Sequence, residues 1–146
     1  MRSLNKFILT LMIPLAISSC EIKPSDIEYN TDSCSECKMI ISDPQFAAQI
    51  VTKKGRNYKF DAIECMLRDV NRRGIADLKY ILVTTFDVPG KLMNARNASY
   101  LISKNIPSPM GGYLSAFSNI DEANKTQVQR TGTIHHWPEI LNQFPN

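Results

Sequence analysis

Three residues near the start of the chain, and a fourth well beyond them, could hold a soft metal ion. Cys34-Ser-Glu-Cys37 is a C-x-x-C pair, and Met39 follows two residues after its second thiol. On an extended segment, Cys37 and Met39 project to the same side. Thiolate and thioether are soft ligands that favour Cu(I) over harder divalent ions. The thioether has no proton to lose, whereas the thiolate supplies charge. A second thioether, Met110, lies in the loop Ile106-Pro-Ser-Pro-Met-Gly-Gly112, away from any helical or strand pattern. The alternatives are structural: Met39 as a core residue beside Ile40 and Ile41, Met110 as a flexible plug in a proline-glycine loop.

The cysteine count narrows the chemistry. Four are present: Cys20, Cys34, Cys37 and Cys65. If Cys20 is set aside as an anchor, the remaining three cannot all pair within one chain. A Cys34–Cys37 disulfide is one reading of the motif in an oxidising compartment. A thioredoxin-like redox role would place the motif ahead of a long helix, but Pro44 arrives too soon. A structural zinc site would want a second ligand pair, and none is spaced for it. His135 and His136 are adjacent, so on a strand they face opposite ways. Cys65 reads as a partly buried structural thiol and Asp61 as a helix cap.

These residues need elements to hold them. Phe46–Val51 and Asn57–Phe60 read as a hairpin around the Lys53-Lys-Gly-Arg56 turn. Asp61 with Glu64 resembles a capping box, and Ile63, Met66, Leu67 and Val70 form one apolar helical face. Arg72, Arg73 and Gly74 end that helix. Tyr80–Phe86 reads as a central strand, and Asp87–Gly90 as the turn between two halves. The second half offers strands at 91–95, 99–102 and 113–117, a polar helix begun by Ser118 with Asp121, a strand at 133–137 and a short helix from Pro138. The reading is α+β: two small ββαβ-like halves after an N-terminal lipoprotein signal and a tether.

The N-terminus bears on compartment. Arg2 and Lys6 precede the apolar run 7–17, too short for a bilayer span of roughly 20 residues. Ile17-Ser-Ser-Cys20 resembles the bacterial lipoprotein box, which implies lipidation of Cys20 and a chain held at a membrane surface. The expected division is a signal over 1–19, a tether over 20–31 and a folded domain over 32–146. Loss of Arg2 and Lys6 with the signal leaves 15 cations against 14 anions. Such a balance argues against a nucleic-acid surface.

Taken in order, Cys34-x-x-Cys37-x-Met39-x-Ile41, Phe46-Ala-Ala-Gln49, Lys59-Phe-Asp61, Pro109-Met-Gly111 and Ala116-Phe117 resemble the NosL family. The likeness runs from Asp32 to Trp137. Lys38 stands where that family typically has glycine. The resemblance implies a fold similar to part of the organomercurial lyase family and no enzymatic activity. It further implies a Cu(I) chaperone outside the cytoplasm, facing the periplasm. The implied partners are a copper-acceptor enzyme, nitrous oxide reductase, and its maturation transporter. The implied ligands are Cys37, Met39 and Met110, with Cys34 as a further one. The rival readings are a thiol–disulfide oxidoreductase using Cys34 and Cys37, and an interaction lipoprotein with a purely structural disulfide.

Overall fold

A computed structural model describes residues 21–145; the expected signal and the expected lipidation site, Cys20, lie outside them. The first half places β1 (Ala48–Thr52) between β2 (Asn57–Phe60) and β3 (Leu78–Val83), both antiparallel to it, with β4 (Met93–Asn94) on the far edge of β3. Helix α1 (Ile63–Arg73) connects β2 to β3. The second half repeats the plan: β5 (Ser99–Ile102) lies between β6 (Leu114–Phe117) and β7 (Thr133–His135), with α2 (Ile120–Arg130) connecting β6 to β7. A short α3 (Trp137–Gln143) closes the chain. In each half the first strand is central, as a ββαβ unit requires. The strand expected over 91–95 belongs to the first sheet, where only Met93 and Asn94 pair with β3.

Alternation along the strands divides the core. Ala48 and Ile50 face α1, whose Ile63, Met66, Leu67 and Val70 are buried against them as the stripe predicts. Gln49 points the other way and is also buried, because its amide donates to the Ser25 carbonyl at 2.9 Å. The segment expected as a tether therefore lies against the first sheet from Ile22 onward. In β5, Tyr100 joins the α1 core, whereas Leu101 packs with Phe46, Phe117 and Ala123 in a second core. Helix α1 thus lies against both sheets, touching β1, β2 and β6.

The ends of α1 explain its register. Gly74 adopts φ 82, a left-handed value suited to glycine, and returns its N–H to the Val70 carbonyl at 2.9 Å. At the other end the N-cap is Ala62, which makes no side-chain cap bond. The capping box expected of Asp61 and Glu64 is therefore absent, and both carboxylates are buried for other purposes. Ser118 likewise does not cap α2. Asn119 does, accepting from the Glu122 N–H at 3.0 Å, while the Ser118 hydroxyl bonds the Asp87 carboxylate.

Candidate metal site

The cysteine loop is shaped by its own backbone. Ser33 and Ile40 form a bridge, the Cys34 N–H donates to the Met39 carbonyl at 2.8 Å, and the Lys38 N–H donates to the Cys34 carbonyl at 3.1 Å. Closing the loop this tightly puts Lys38 at φ 66, in the left-handed region. Glycine suits such a position best, which gives the family's glycine a physical reason. Here the lysine stands there, its ammonium donating to the Ser35 carbonyl at 2.6 Å.

Two further contacts dock the loop. Ser35 extends the ladder beside β2: its N–H donates to the Lys59 carbonyl at 2.7 Å and its hydroxyl accepts from the Lys59 N–H at 3.2 Å. Glu36 takes a bidentate pair from Arg72 at 3.1 and 2.7 Å, tying the loop to α1. Arg72 and Arg73 also hold the buried Asp69 at 2.5 and 2.7 Å. Fixed on β2 and on α1, the loop brings its thiols over the first turn of that helix.

There, Cys34, Cys37, Asp61 and Cys65 converge, with one ligand atom of each lying within 4.8 Å of all the others. Cys34 and Cys65 are buried and Cys37 is partly open. The Cys37 thiol donates to Asp61 Oδ1 at 3.2 Å. Asp61 Oδ2 is buried with no hydrogen-bond partner among the described residues. A buried carboxylate oxygen left unpaired is costly, and this one belongs to a carboxyl group packed among three sulfurs. The donor set of three thiols and an orphaned carboxylate oxygen fits a bound cation.

Protonation of the three thiols is uneven. Cys65 donates to Cys34, which holds the Cys34 thiol down at about 6 from its usual 9.0. Donating that hydrogen bond to a thiolate holds the proton on Cys65 and raises its pKa well above the usual range, although Arg68 Nη2 lies 3.6 Å from its sulfur and opposes the rise. Burial pushes Cys37 up to about 11, against the Met39 backbone N–H that favours its thiolate. These shifts favour a thiolate on Cys34 at neutral pH, with Cys65 and Cys37 protonated. A metal entering must displace the remaining protons.

Of the residues singled out from sequence, Cys34 and Cys37 are brought together. Met39 follows them, half exposed at 50 %, as is Ile40, while Ile41 is fully buried. The core role considered for Met39 thus falls to Ile41. Met110 is half-buried against the same core that contains Cys34 and Cys65. Its loop is fastened to α1 through Glu64, the neighbour of Cys65. Ser108 donates its hydroxyl to the Glu64 carboxylate and accepts from the Tyr113 N–H at 2.9 Å. A methyl group at Gly112 would meet Glu64 Oε1 at 2.7 Å, so glycine is needed for the loop to close over the carboxyl. Burial raises the Glu64 pKa.

Asp61 and Cys65 are the members that sequence reasoning missed. Cys65 sits off the apolar stripe of α1, and Asp61 has the look of a cap. Their common signal is closeness in sequence: Asp61 lies just ahead of the Ala62 N-cap and Cys65 in the first turn of α1, so both sit at the helix start that the cysteine loop covers. They also supply the second ligand pair whose apparent absence argued against zinc.

Two antiparallel sheets sharing one helix, with a thiol-rich site at the start of that helix, define a small α+β domain able to hold a metal ion. Residues 26–144 match the NosL family model, and the chain belongs to the NosL family. A solved structure, that of the copper chaperone NosL from Shewanella denitrificans, matches with a TM-score of 0.71 at 19% identity, covering 82% of this chain and 96% of that one. No curated protein matches the chain. Among the described residues no helix is long and apolar enough to cross a membrane.

Proposed function

We propose that this chain is an extracytoplasmic, lipid-anchored copper chaperone, not an enzyme, and that it carries Cu(I) at the cysteine loop. The observation that carries this reading is the convergence of Cys34, Cys37, Cys65 and Asp61, one ligand atom of each within 4.8 Å of the others, with one Asp61 oxygen buried and unpartnered among the described residues. Soft sulfur donors suit Cu(I). Three thiolates and a carboxylate would also satisfy a tetrahedral divalent ion such as zinc. Cu(I) is favoured by membership of the NosL family, by the copper chaperone of similar fold, and by Met39, an exposed thioether two residues after Cys37. Cys37 and Met39, the more exposed donors, are the natural point of entry and exit, and Met110 is assigned as a further thioether.

A thiol–disulfide oxidoreductase would need its low-pKa thiol accessible to substrate. Here that thiol is Cys34, and it is buried. The acceptor we assign is nitrous oxide reductase, reached with its maturation transporter, on the strength of the family alone. Cys20 is the assigned site of lipidation.

Anaerobic titration against a chromophoric Cu(I) chelator tests the central claim. Reduced protein should take up one Cu(I), and protein oxidised at its cysteines should not. Equal uptake by both forms would sink the thiolate site. Metabolic labelling with palmitate tests the anchor, and label lost on Cys20→Ala is the expected outcome. Copper transfer from the loaded chain to metal-free nitrous oxide reductase tests the partner.

A further inference from the structure

The end of the fold opposite the thiols has a different chemistry. The β1–β2 turn, residues 53–56, carries Lys53, Lys54 and Arg56, all exposed. Behind it opens a cleft of about 470 Å³ lined by these three cations, Tyr58, Arg73 and Asp77 among others. Arg73 lies over the Tyr58 ring at 3.9 Å and Arg56 donates to the Tyr58 hydroxyl at 3.4 Å, so the cations are gathered around one aromatic floor. Arg73 is neutralised by Asp69, but among the described residues no carboxylate comes within salt-bridge distance of Lys53, Lys54, Arg56 or Lys79. Asp77 is the one acidic group in the cleft lining. In a chain with almost balanced charge, this is a concentrated positive face.

The N-terminal segment arrives at that same face. Ile22 accepts from the Lys79 ammonium at 3.3 Å through its carbonyl, and its side chain lies 3.7 Å from where a methyl group on Gly55 would be. The Asn57 amide donates to the Lys23 carbonyl at 3.4 Å and accepts from the Ser25 N–H at 3.0 Å. Position 20 is two residues before Ile22, a reach of at most about 7 Å. An acyl anchor there would hold the turn and the cleft at the level of the lipid headgroups.

We propose that the Lys53–Arg56 turn, with Lys79 and the cleft behind it, docks on anionic phospholipid headgroups of the membrane that carries the anchor. The inference rests on the lipid-anchor reading given above. Its occupant follows from charge and from where the chain enters the fold: cations near an anionic bilayer are attracted to it over roughly a Debye length. Docking has a consequence for the metal site. Helix α1 runs from Cys65 to Arg73 at the cleft, which separates them by about 12 Å along its axis. With the cleft down on the membrane, the thiols are held outward, where an acceptor can reach them.

The test uses the full lipidated chain floated on two kinds of vesicle, phosphatidylcholine alone and phosphatidylcholine with phosphatidylglycerol. Acylation of individual lysines by an amine-reactive reagent is followed by mass spectrometry, with Lys125 on α2 as the internal reference. Lys53, Lys54 and Lys79 should be labelled about fivefold more slowly on the anionic vesicles, and raised salt should abolish the difference. In the triple variant Lys53→Gln/Lys54→Gln/Arg56→Gln, Lys79 should lose that protection while the protein still floats on neutral vesicles. Flotation with equal labelling on both vesicles overturns the docking and leaves the cleft to an acidic protein surface. Failure to float on neutral vesicles overturns the anchor, and with it the docking.

Discussion

Cys37 donates its thiol hydrogen to one oxygen of Asp61 at 3.2 Å, while the other oxygen of Asp61 is buried without a partner among the described residues. The carboxylate is thus half satisfied in the resting protein, and it lies in one cluster with Cys34 and Cys65. Such a group makes the fold slightly worse and the site considerably better for a cation.

Asp61→Asn separates those two effects. The change keeps the volume, removes the charge, and offers an amide donor where an oxygen now has no partner. Apo stability should hold or rise, because the unpaired buried acceptor costs about 1–3 kcal/mol. Cu(I) affinity should drop about tenfold, equivalent to roughly 1.4 kcal/mol. Were Asp61 acting as the helix cap, the loss would instead appear in the apo melting temperature. Paired thermal melts and chelator competition decide between them.

The uneven thiols give a pH signature. Cys34 is lowered to about 6 from 9.0, so its folded form favours the thiolate. Stability from this group is fully present above 9.0 and is lost as pH falls through about 6. Cys37, raised to about 11, acts oppositely: the contribution it makes below 9.0 is lost as pH climbs through about 11. Denaturant melts of reduced apo protein should therefore show stability rising between 6 and 9 and falling beyond. In Cys34→Ser the rise should vanish. A flat profile in the parent chain would show that Cys34 is not the resting thiolate.

Lys38 offers a test of the loop backbone. Its φ of 66 costs an L-residue about 1–2 kcal/mol, partly offset by the entropy that glycine would add to the unfolded chain, about 0.4–1 kcal/mol. Lys38→Gly should stabilise the apo protein by about 0.5–1 kcal/mol, a rise in melting temperature of about 2–4 °C. A destabilised variant would mean that the bond from its ammonium to Ser35 outweighs the strain. Copper affinity should change little, since no ligand is removed.

Much of this fold was legible in the sequence because strands and helices announce their buried faces. The α1 stripe, the Lys-Lys-Gly-Arg turn and the β-branched run that became β3 all declare themselves locally. The site was legible only in part. Asp61 and Glu64 have the spacing of a capping box, and nothing local reveals that both carboxylates are buried: one under the cysteine loop, the other under Ser108 and Gly112. The distance of Cys65 from the apolar stripe marks it, in sequence, as a structural thiol. That test fails at the first turn of α1, where the loop at 34–39 covers the side the stripe leaves open. Strand β4, expected in the second half, joins the first sheet, and two residues of pairing carry no pattern that says which sheet they join.

The methionines divide the ligand question that remains. Met39 is half exposed, so Met39→Leu should leave the apo melting temperature nearly unchanged. If its thioether closes the open side of the site beside Cys37, Cu(I) affinity should drop. Met110 is half-buried against the α1 core and its loop is held by the Glu64–Ser108 bond, so packing and ligation are both available to it. Met110→Leu nearly conserves volume and should cost under about 1.5 kcal/mol of stability. A ligand role predicts that copper affinity drops while the melting temperature holds. A packing role predicts the inverse, and Glu64→Gln discriminates further. Loosening the loop through that variant should lower copper affinity only if Met110 is a ligand, because the cysteine cluster is held separately, by Ser35 on β2 and by Glu36 on Arg72. Copper affinity unchanged in both Met110→Leu and Glu64→Gln would remove Met110 from the site and leave Met39 as its thioether.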